Sequence, residues 1–364
     1  MYGSTHGAPS VETRGQRAVQ WSGLVRAASG LPTVLAVWAV GAALALPGSG
    51  RAQPATAASA PAGDVRPAVS AHDAPPVMPV EVAPGIHLAQ GVPAMGSAAN
   101  RNFVSNAAFV VTPAGVVVID ALGAPVLAEE LLAAIARVTP LPVRLVIVTH
   151  FHADHIYGLQ VFRDRGAKIV AHTGGRAYLQ SETATLRMAA SRQELAPWVD
   201  EDTRLVEPDQ WISGPQTLQL GGVEFRLLPM GPAHTPEDLA VFMPQRGVLF
   251  SGDIVFRNRV PWVGQADSAR WITALQELIA LKPGLIVPGH GPVSRAPAED
   301  LALTHDYLVH LRRAMGEAAR NLEPFEDAYA RADWSRFEHL PLFRSANRIN
   351  AYNTYLLMEH TGSR

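Results

Sequence analysis

The chain has 364 residues, 48% hydrophobic and 17% charged, with a formal net charge of −2. That composition excludes a disordered chain, and the lack of a basic cluster excludes a nucleic-acid binder. There is no cysteine, so disulfides, a thiol nucleophile, thiolate metal ligands and a lipid-modified cysteine are excluded too. Any metal must be held by imidazole and carboxylate alone.

The first 52 residues read as an address. Arg14, Arg17 and Arg26 precede the apolar segment Leu31 to Leu46, which is followed by Pro47-Gly48-Ser49-Gly50-Arg51-Ala52. This is the charge, apolar run and small-residue cut of a secretory signal peptide, with cleavage expected at Ala52–Gln53. The alternative is an uncleaved anchor, although the apolar run is short for a membrane span. The expected location is periplasmic or secreted, with membrane contact only through the export signal. Residues 53–79, rich in Ala and Pro, read as a flexible linker.

Order is expected from Val80, with a short alternating segment to Leu88. Phe109 to Val111 and Val116 to Asp120 flank Thr112-Pro113-Ala114-Gly115 and read as a β-hairpin. Val126 to Val138 has helical apolar spacing, stopped by Pro140 and Pro142. Leu145 to Val148 is a buried strand, Gly158 to Arg165 a helix, and Lys168 to Ala171 another strand. Residues 174–205 are mostly helical and polar. Leu218 to Leu220 and Val223 to Leu228 form a second hairpin around Gly221-Gly222. Val248 to Phe250 is a strand, Trp271 to Leu281 an amphipathic helix ended by Pro283-Gly284, and Leu285 to Val287 the last core strand.

Chemistry gathers where strands end. Thr149-His150-Phe151-His152-Ala153-Asp154-His155 follows the strand at Leu145 to Val148 and puts four metal-ligating side chains within six residues. His150 and His152 would point to different sides of a helix, so the stretch is expected to be a loop. His234 follows the second hairpin, in Met230-Gly231-Pro232-Ala233-His234-Thr235. Asp253 follows the next strand in Ser251-Gly252-Asp253, and His290 the last in Pro288-Gly289-His290-Gly291. A lone His or Asp at a strand end is usually a cap or a satisfied polar group. Four such ends with one chemistry point to a metal site.

These blocks, in this order over residues 80–295, resemble the metallo-β-lactamase superfamily. The resemblance implies an α+β fold, a four-layer αββα sandwich with the site along one edge of two sheets. A C-terminal helical extension, residues 296–364, would pack against the sandwich or cover its edge. It further implies that His150, His152 and His234 hold one metal and that Asp154, His155 and His290 hold a second. Asp253 would bridge the two, and Asp120 would be structural. The implied cofactors are two zinc ions, with iron or manganese as other metals for the same donors. The implied reaction is hydrolysis, in which a metal-bridging hydroxide attacks an ester, thioester, lactone or amide carbonyl. Asp154 would orient the hydroxide or carry a proton.

Some subfamilies fit less well. Two classes of β-lactamase use Cys where this chain has Asp253, and the flavodiiron oxidoreductases have Glu in place of His152. The segment from Phe256 to Trp262 and the stretch from Asn347 to Glu359 look closest to exported zinc metallohydrolases found with sulfur-oxidation and quinoprotein systems. The alternatives are a β-lactamase proper and a metal-bound accessory protein of a periplasmic redox pathway. The partner expected is a small-molecule substrate, and the chain is a possible homodimer. Arg257 or Arg259 is expected to dock a substrate carboxylate, unless both are solvated surface residues. Trp198, Trp211 and Trp262 either line a pocket or belong to the core. His172 reads as a cap or surface histidine, and His305 and His310 as structural.

Overall fold

The computed structural model describes residues 75–264 and 266–362. The signal peptide and most of the linker expected from the sequence lie outside the described residues. Among the described residues no helix is long and apolar enough to cross a membrane.

The elements run β1 (Val80–Ala83), β2 (Ile86–Ala89), β3 (Ala107–Thr112), β4 (Gly115–Ile119), α1 (Pro125–Val138), β5 (Val143–Ile147), α2 (Ala153–Ile156), α3 (Leu159–Asp164), β6 (Lys168–His172), α4 (Gly175–Leu179), α5 (Glu182–Glu194) and β7 (Gln210–Ile212). The second half continues with β8 (Gln216–Leu220), β9 (Val223–Pro229), β10 (Leu239–Met243), β11 (Val248–Phe256), α6 (Ser268–Ala280), β12 (Leu285–His290), α7 (Pro297–Arg320), α8 (Phe325–Arg331) and α9 (Phe343–Gly362). β1 to β7 form one sheet in sequence order, and the second sheet is ordered β12-β11-β10-β9-β8. Within them β4 to β7 are parallel, as are β11 and β12.

The side-chain alternation of strands explains the layering. In β4, Val117 and Ile119 join Phe225, Leu227, Val241 and Phe250 of the other sheet in a core between the sheets. Val116 and Val118 point the opposite way, onto Leu127, Leu131 and Ile135 of α1. Likewise β12 sends Leu285 and Val287 between the sheets and Ile286 outward, toward Trp271 and Leu275 of α6. Strands β3, β4, β10, β11 and β12 are buried on both faces, so they read as apolar runs, whereas the edge strand β8 alternates. The result is helix, sheet, sheet, helix.

Three details differ from the sequence reading, and the C-terminal segment packs against the sandwich, one of the two placements expected for it. The segment from Val80 to Leu88 is two strands, because Gly85 at φ +69° turns the chain between them. Leu239–Met243 is a central strand with no counterpart among the predicted elements; its five residues are all buried, too short a run to stand out from its loops. Residues 195–205 lack the helix expected there. The 296–364 segment contributes Leu301, Tyr307, Leu308 and Leu311 of α7 and Ala346 and Ala351 of α9 to the same core as α6 and the second sheet. It forms much of the fourth layer.

Candidate metal centre and its relatives

The parallel arrangement brings the strand ends to one edge. His150 follows β5, and Asp120 follows β4 beside it. Across the interface, β9, β11 and β12 run in the same direction, so His234 after β9, Asp253 on β11 and His290 at the end of β12 share that edge. The loop expected for the first block is partly a helix: His152 is the N-cap of α2, and Asp154 and His155 lie within it. The turn of α2 aims the ligand atoms of Asp154 and His155 toward His290 rather than His152, although the His155 ring stays 4.3 Å from that of His150. Asp253 likewise is inside β11 rather than at its end. Gly252 takes φ +52°, and the pairing with β12 slips on either side of it, so the strand bulges and then continues to Phe256.

The seven residues form two groups. His150, His152, His234 and Asp253 offer ligand atoms within 4.8 Å of one another, as do Asp154, His155 and His290. His152 Nδ1 lies 3.1 Å from His150 Nε2 and 2.9 Å from His234 Nε2. Asp253 stands between the groups. Its Oδ2 is 3.4 Å from His234 Nε2 and 3.2 Å from His290 Nε2, and its Oδ1 is 3.3 Å from His155 Nε2. His290 Nε2 is also 3.3 Å from Asp154 Oδ2. His155 is fully buried, whereas Asp154 keeps 19% of its side chain exposed, so Asp154 and the half-buried His152 mark the open side.

The surrounding bonds decide which nitrogen faces inward. His155 Nδ1 donates to Asp120 Oδ2 at 2.8 Å, leaving Nε2 as a lone pair. Thr149 donates to Asp120 from its backbone N and from Oγ1. With that hydroxyl hydrogen committed, Oγ1 accepts from His150 Nδ1 at 3.0 Å, and His150 Nε2 is freed as well. His290 Nδ1 donates to the Val104 carbonyl at 2.7 Å. Such outer partners set tautomer and ring orientation in metal sites. Asn106 ties this edge together, donating to the Pro288 and Gly291 carbonyls on either side of the His290 turn.

Electrostatics and geometry call for cations here. Burial, then repulsion from neighbouring imidazoles, holds His150 and His234 below their usual range, His234 down to about 3, so both are neutral ligands. His155 goes the other way: burial lowers it, but Asp253, Asp154 and Asp120 outweigh that and raise it well above normal. Burial alone would raise Asp253, yet His290 and His155 hold it well below. His155 Nε2 and Asp253 Oδ1 are buried, 3.3 Å apart and without any hydrogen bond. A carboxylate oxygen facing this nitrogen calls for positive charge between them, a proton on His155 in the metal-free protein or a metal ion in its place. Three imidazole nitrogens converging at about 3 Å pose the same demand, and Zn–N bonds of about 2.0–2.1 Å imply similar nitrogen spacings. The donors therefore fit divalent ions. Glycine makes room for this: a methyl group at Gly289 would overlap Asp253 Oδ1.

A family model described as the metallo-beta-lactamase superfamily matches residues 100–290. The chain belongs to the metallo-β-lactamase superfamily. It is a metal-dependent hydrolase of that class. Metallo-beta-lactamase IND-1 of Chryseobacterium indologenes is 26% identical over 195 residues, 52% of this chain and 73% of that protein. A linear primary-alkylsulfatase of a Pseudomonas species is 23% identical over 237 residues, 55% of this chain and 44% of that protein. Among solved structures, the sec-alkylsulfatase Pisa1 from Pseudomonas sp. superposes with a TM-score of 0.61 at 18% identity, over 77% of this chain and 50% of that one. A metallo-beta-lactamase family protein from Thermus thermophilus gives 0.58 at 18% identity, over 78% and 95%. These structures share the superfamily fold.

The superfamily member's other expected site residues separate clearly. Arg257 is tied down, paired with Asp300 at 2.8 Å and donating to the Pro292 and Val293 carbonyls. Arg259 is 5% exposed, lies over the Phe256 ring and places Nη1 3.1 Å from His290 Nδ1. Among the described residues it has no carboxylate within ion-pair distance. Neither arginine is the solvated residue of the alternative reading. Trp198 and Trp211 pack on the first sheet's outer core, Trp211 stacked on Phe151, and Trp262 packs on the second. His172 accepts from Gly174 N, His305 pairs with Asp306, and His310 packs on Trp334; none joins the cluster.

Sequence reasoning missed Glu237 and Asp238. Glu237 accepts from the Phe151 backbone between two of the cluster histidines, and Asp238 accepts from Thr235 N and Oγ1 beside His234. A Thr followed three residues later by Asp is a turn signal that marks the latter; nothing local marks Glu237.

Proposed function

We propose that this protein is a dinuclear zinc hydrolase acting on an ester, thioester, lactone or amide carbonyl. The observation that carries the reading is the position of Asp253, with one oxygen toward His234 and His290 and the other toward His155. A carboxylate so placed would serve two ions at once. His150, His152 and His234 would hold the first and Asp154, His155 and His290 the second. Bound there, the ions supply Lewis acidity that makes water nucleophilic near neutral pH and polarises the carbonyl under attack.

The protein's own groups do the rest. Asp154 is the exposed carboxylate of the cluster, and burial is outweighed by His155 and His290, which keep it ionised. It accepts a proton from the attacking water at its carboxylate and returns it to the leaving group. Arg259, a buried cation with no ion-pair partner among the described residues, receives an anionic group of the substrate.

Elemental analysis and a panel of chromogenic thioester, lactone, β-lactam and alkyl sulfate substrates test this. Two zinc ions per chain with carbonyl turnover support it. One ion, or turnover confined to the alkyl sulfates, sinks it. A second reading, β-lactam hydrolysis as the main activity, draws on the similarity to metallo-beta-lactamases over 73% of IND-1; the same panel ranks it. Export to the periplasm is part of the proposal, rests on residues 1–52, and is tested by cell fractionation.

A further inference from the structure

The helices beyond residue 290 lie outside the region matched by the family model, yet one side chain in them holds the segment that places Arg259 against the metal cluster. Asn350 of α9 is completely buried. Its Oδ1 accepts from Val263 N at 3.0 Å, and its Nδ2 donates to the Pro261 carbonyl at 2.7 Å and to Tyr307 Oη at 2.9 Å. The first two partners flank Trp262, so a single amide pins the peptide groups on both sides of that residue. Val260 N adds a third tie, donating to the Pro341 carbonyl just before α9.

At its other end the same segment is fixed by Arg257, whose backbone N donates to the His290 carbonyl and whose side chain pairs with Asp300. Between these anchors the chain has no regular structure. Asn258 is exposed and takes φ +52°, which turns Arg259 inward against His290. Without the amide clamp, two buried backbone groups lose their partners, and such a segment relaxes toward water.

We propose that Asn350 is a positioning residue of the hydrolytic site, holding the segment from Arg257 to Val263 so that Arg259 stands against His290. The C-terminal helices are then part of the active site's construction. The substrate arm of the test rests on the role proposed above for Arg259; the positional arm does not.

The test compares Asn350→Ala with Tyr307→Phe in the metal-loaded protein. Tyr307→Phe removes two bonds within the helical layer, the one Tyr307 Oη donates to Asn347 and the one it accepts from Asn350, but leaves both bonds from Asn350 to the segment. In Asn350→Ala, hydrogen exchange over residues 258–264 is expected to accelerate about tenfold, the equivalent of one lost buried hydrogen bond. The KM for a carboxylate-bearing thioester rises by about the same factor, while its neutral methyl ester changes less than about twofold. Tyr307→Phe lowers Tm and leaves the exchange and both KM values unchanged. Wild-type exchange rates in Asn350→Ala overturn the proposal, and so do parallel changes in the two variants that track Tm alone. If the wild-type protein turns over neither thioester, the hydrolase reading fails, and the exchange comparison by itself decides the positional claim.

Discussion

Asp120 Oδ2 lies 2.8 Å from His155 Nδ1, and this contact decides which nitrogen of the imidazole is free to face the cluster. The same carboxylate acts on His150 through Thr149, so one residue outside the cluster sets the tautomers of two within it. Its backbone takes φ +61°, a conformation that Asp and Asn adopt more readily than most residues.

Replacing Asp120 with Asn is therefore a change of chemistry at constant backbone. The amide cannot accept all three donors, so one of its N–H groups must face a donor. Zinc affinity, measured by chelator competition well below Tm, is expected to fall about 10- to 100-fold, alongside a loss of about 1–3 kcal/mol in stability of the metal-free protein from the mismatched buried donor. An unchanged affinity would mean that the Asp120 contact is dispensable for the cluster.

Metal removal has a predictable thermal signature. Ligands held only by the folded state stabilise it by mass action, about 2.7 kcal/mol when free metal is a hundredfold above Kd. For a domain of this size that corresponds to a fall in Tm of roughly 5–10 °C on exhaustive chelation. Asp253→Asn should abolish most of this difference, because both groups share that carboxylate. A chelation effect of full size in the variant would place the bound metal elsewhere.

Gly289→Ala puts a methyl group onto Asp253 Oδ1 and against the Gly252 backbone. Backbone on one side leaves the new group nowhere to go, so Asp253 must move. Loss of the second bound metal and a drop in kcat of about 100-fold or more are expected, since displacing a catalytic group by about 1 Å costs that much. Retention of both metals with normal kcat would show that the turn yields instead.

The two arginines after Asp253 should behave differently. Arg257→Gln breaks a partly buried pair with Asp300 and is expected to cost about 1–3 kcal/mol of stability, read in denaturant titrations, with a smaller rise in KM for anionic substrates than Arg259→Gln gives, because only one anchor of the segment carrying Arg259 is loosened. Arg259→Gln should raise KM for anionic substrates about tenfold or more relative to neutral analogues at near-native stability. Equal effects on both substrate types would remove Arg259 from substrate binding.

Much of this site was legible in the chain itself. His150, His152, Asp154 and His155 declare themselves by spacing after a strand, and His234, Asp253 and His290 by their place beside glycine at later strand ends. The absence of cysteine alone limited the donors to imidazole and carboxylate. These are local signals, written in residue type and short-range order, and most individual strands and helices follow from periodicity in the same way, whereas the four-layer arrangement was implied by the resemblance those motifs carry. Other features depend on contacts between distant segments. The helical turn that splits His152 from Asp154, the bulge that carries Asp253 past Gly252, and the strand at Leu239–Met243 all exist because neighbouring strands and loops satisfy them. The separation of Arg257 from Arg259 depends on Asp300 and His290, which lie 43 and 31 residues further on. The clamp from Asn350 spans 87 residues. Contacts of that reach leave no periodicity in the sequence. So the opening cluster, its donor types and its order were determined by the sequence, whereas Asp253's place between two groups, the tautomers set by Asp120 and the inward turn of Arg259 were decided only when the two sheets packed.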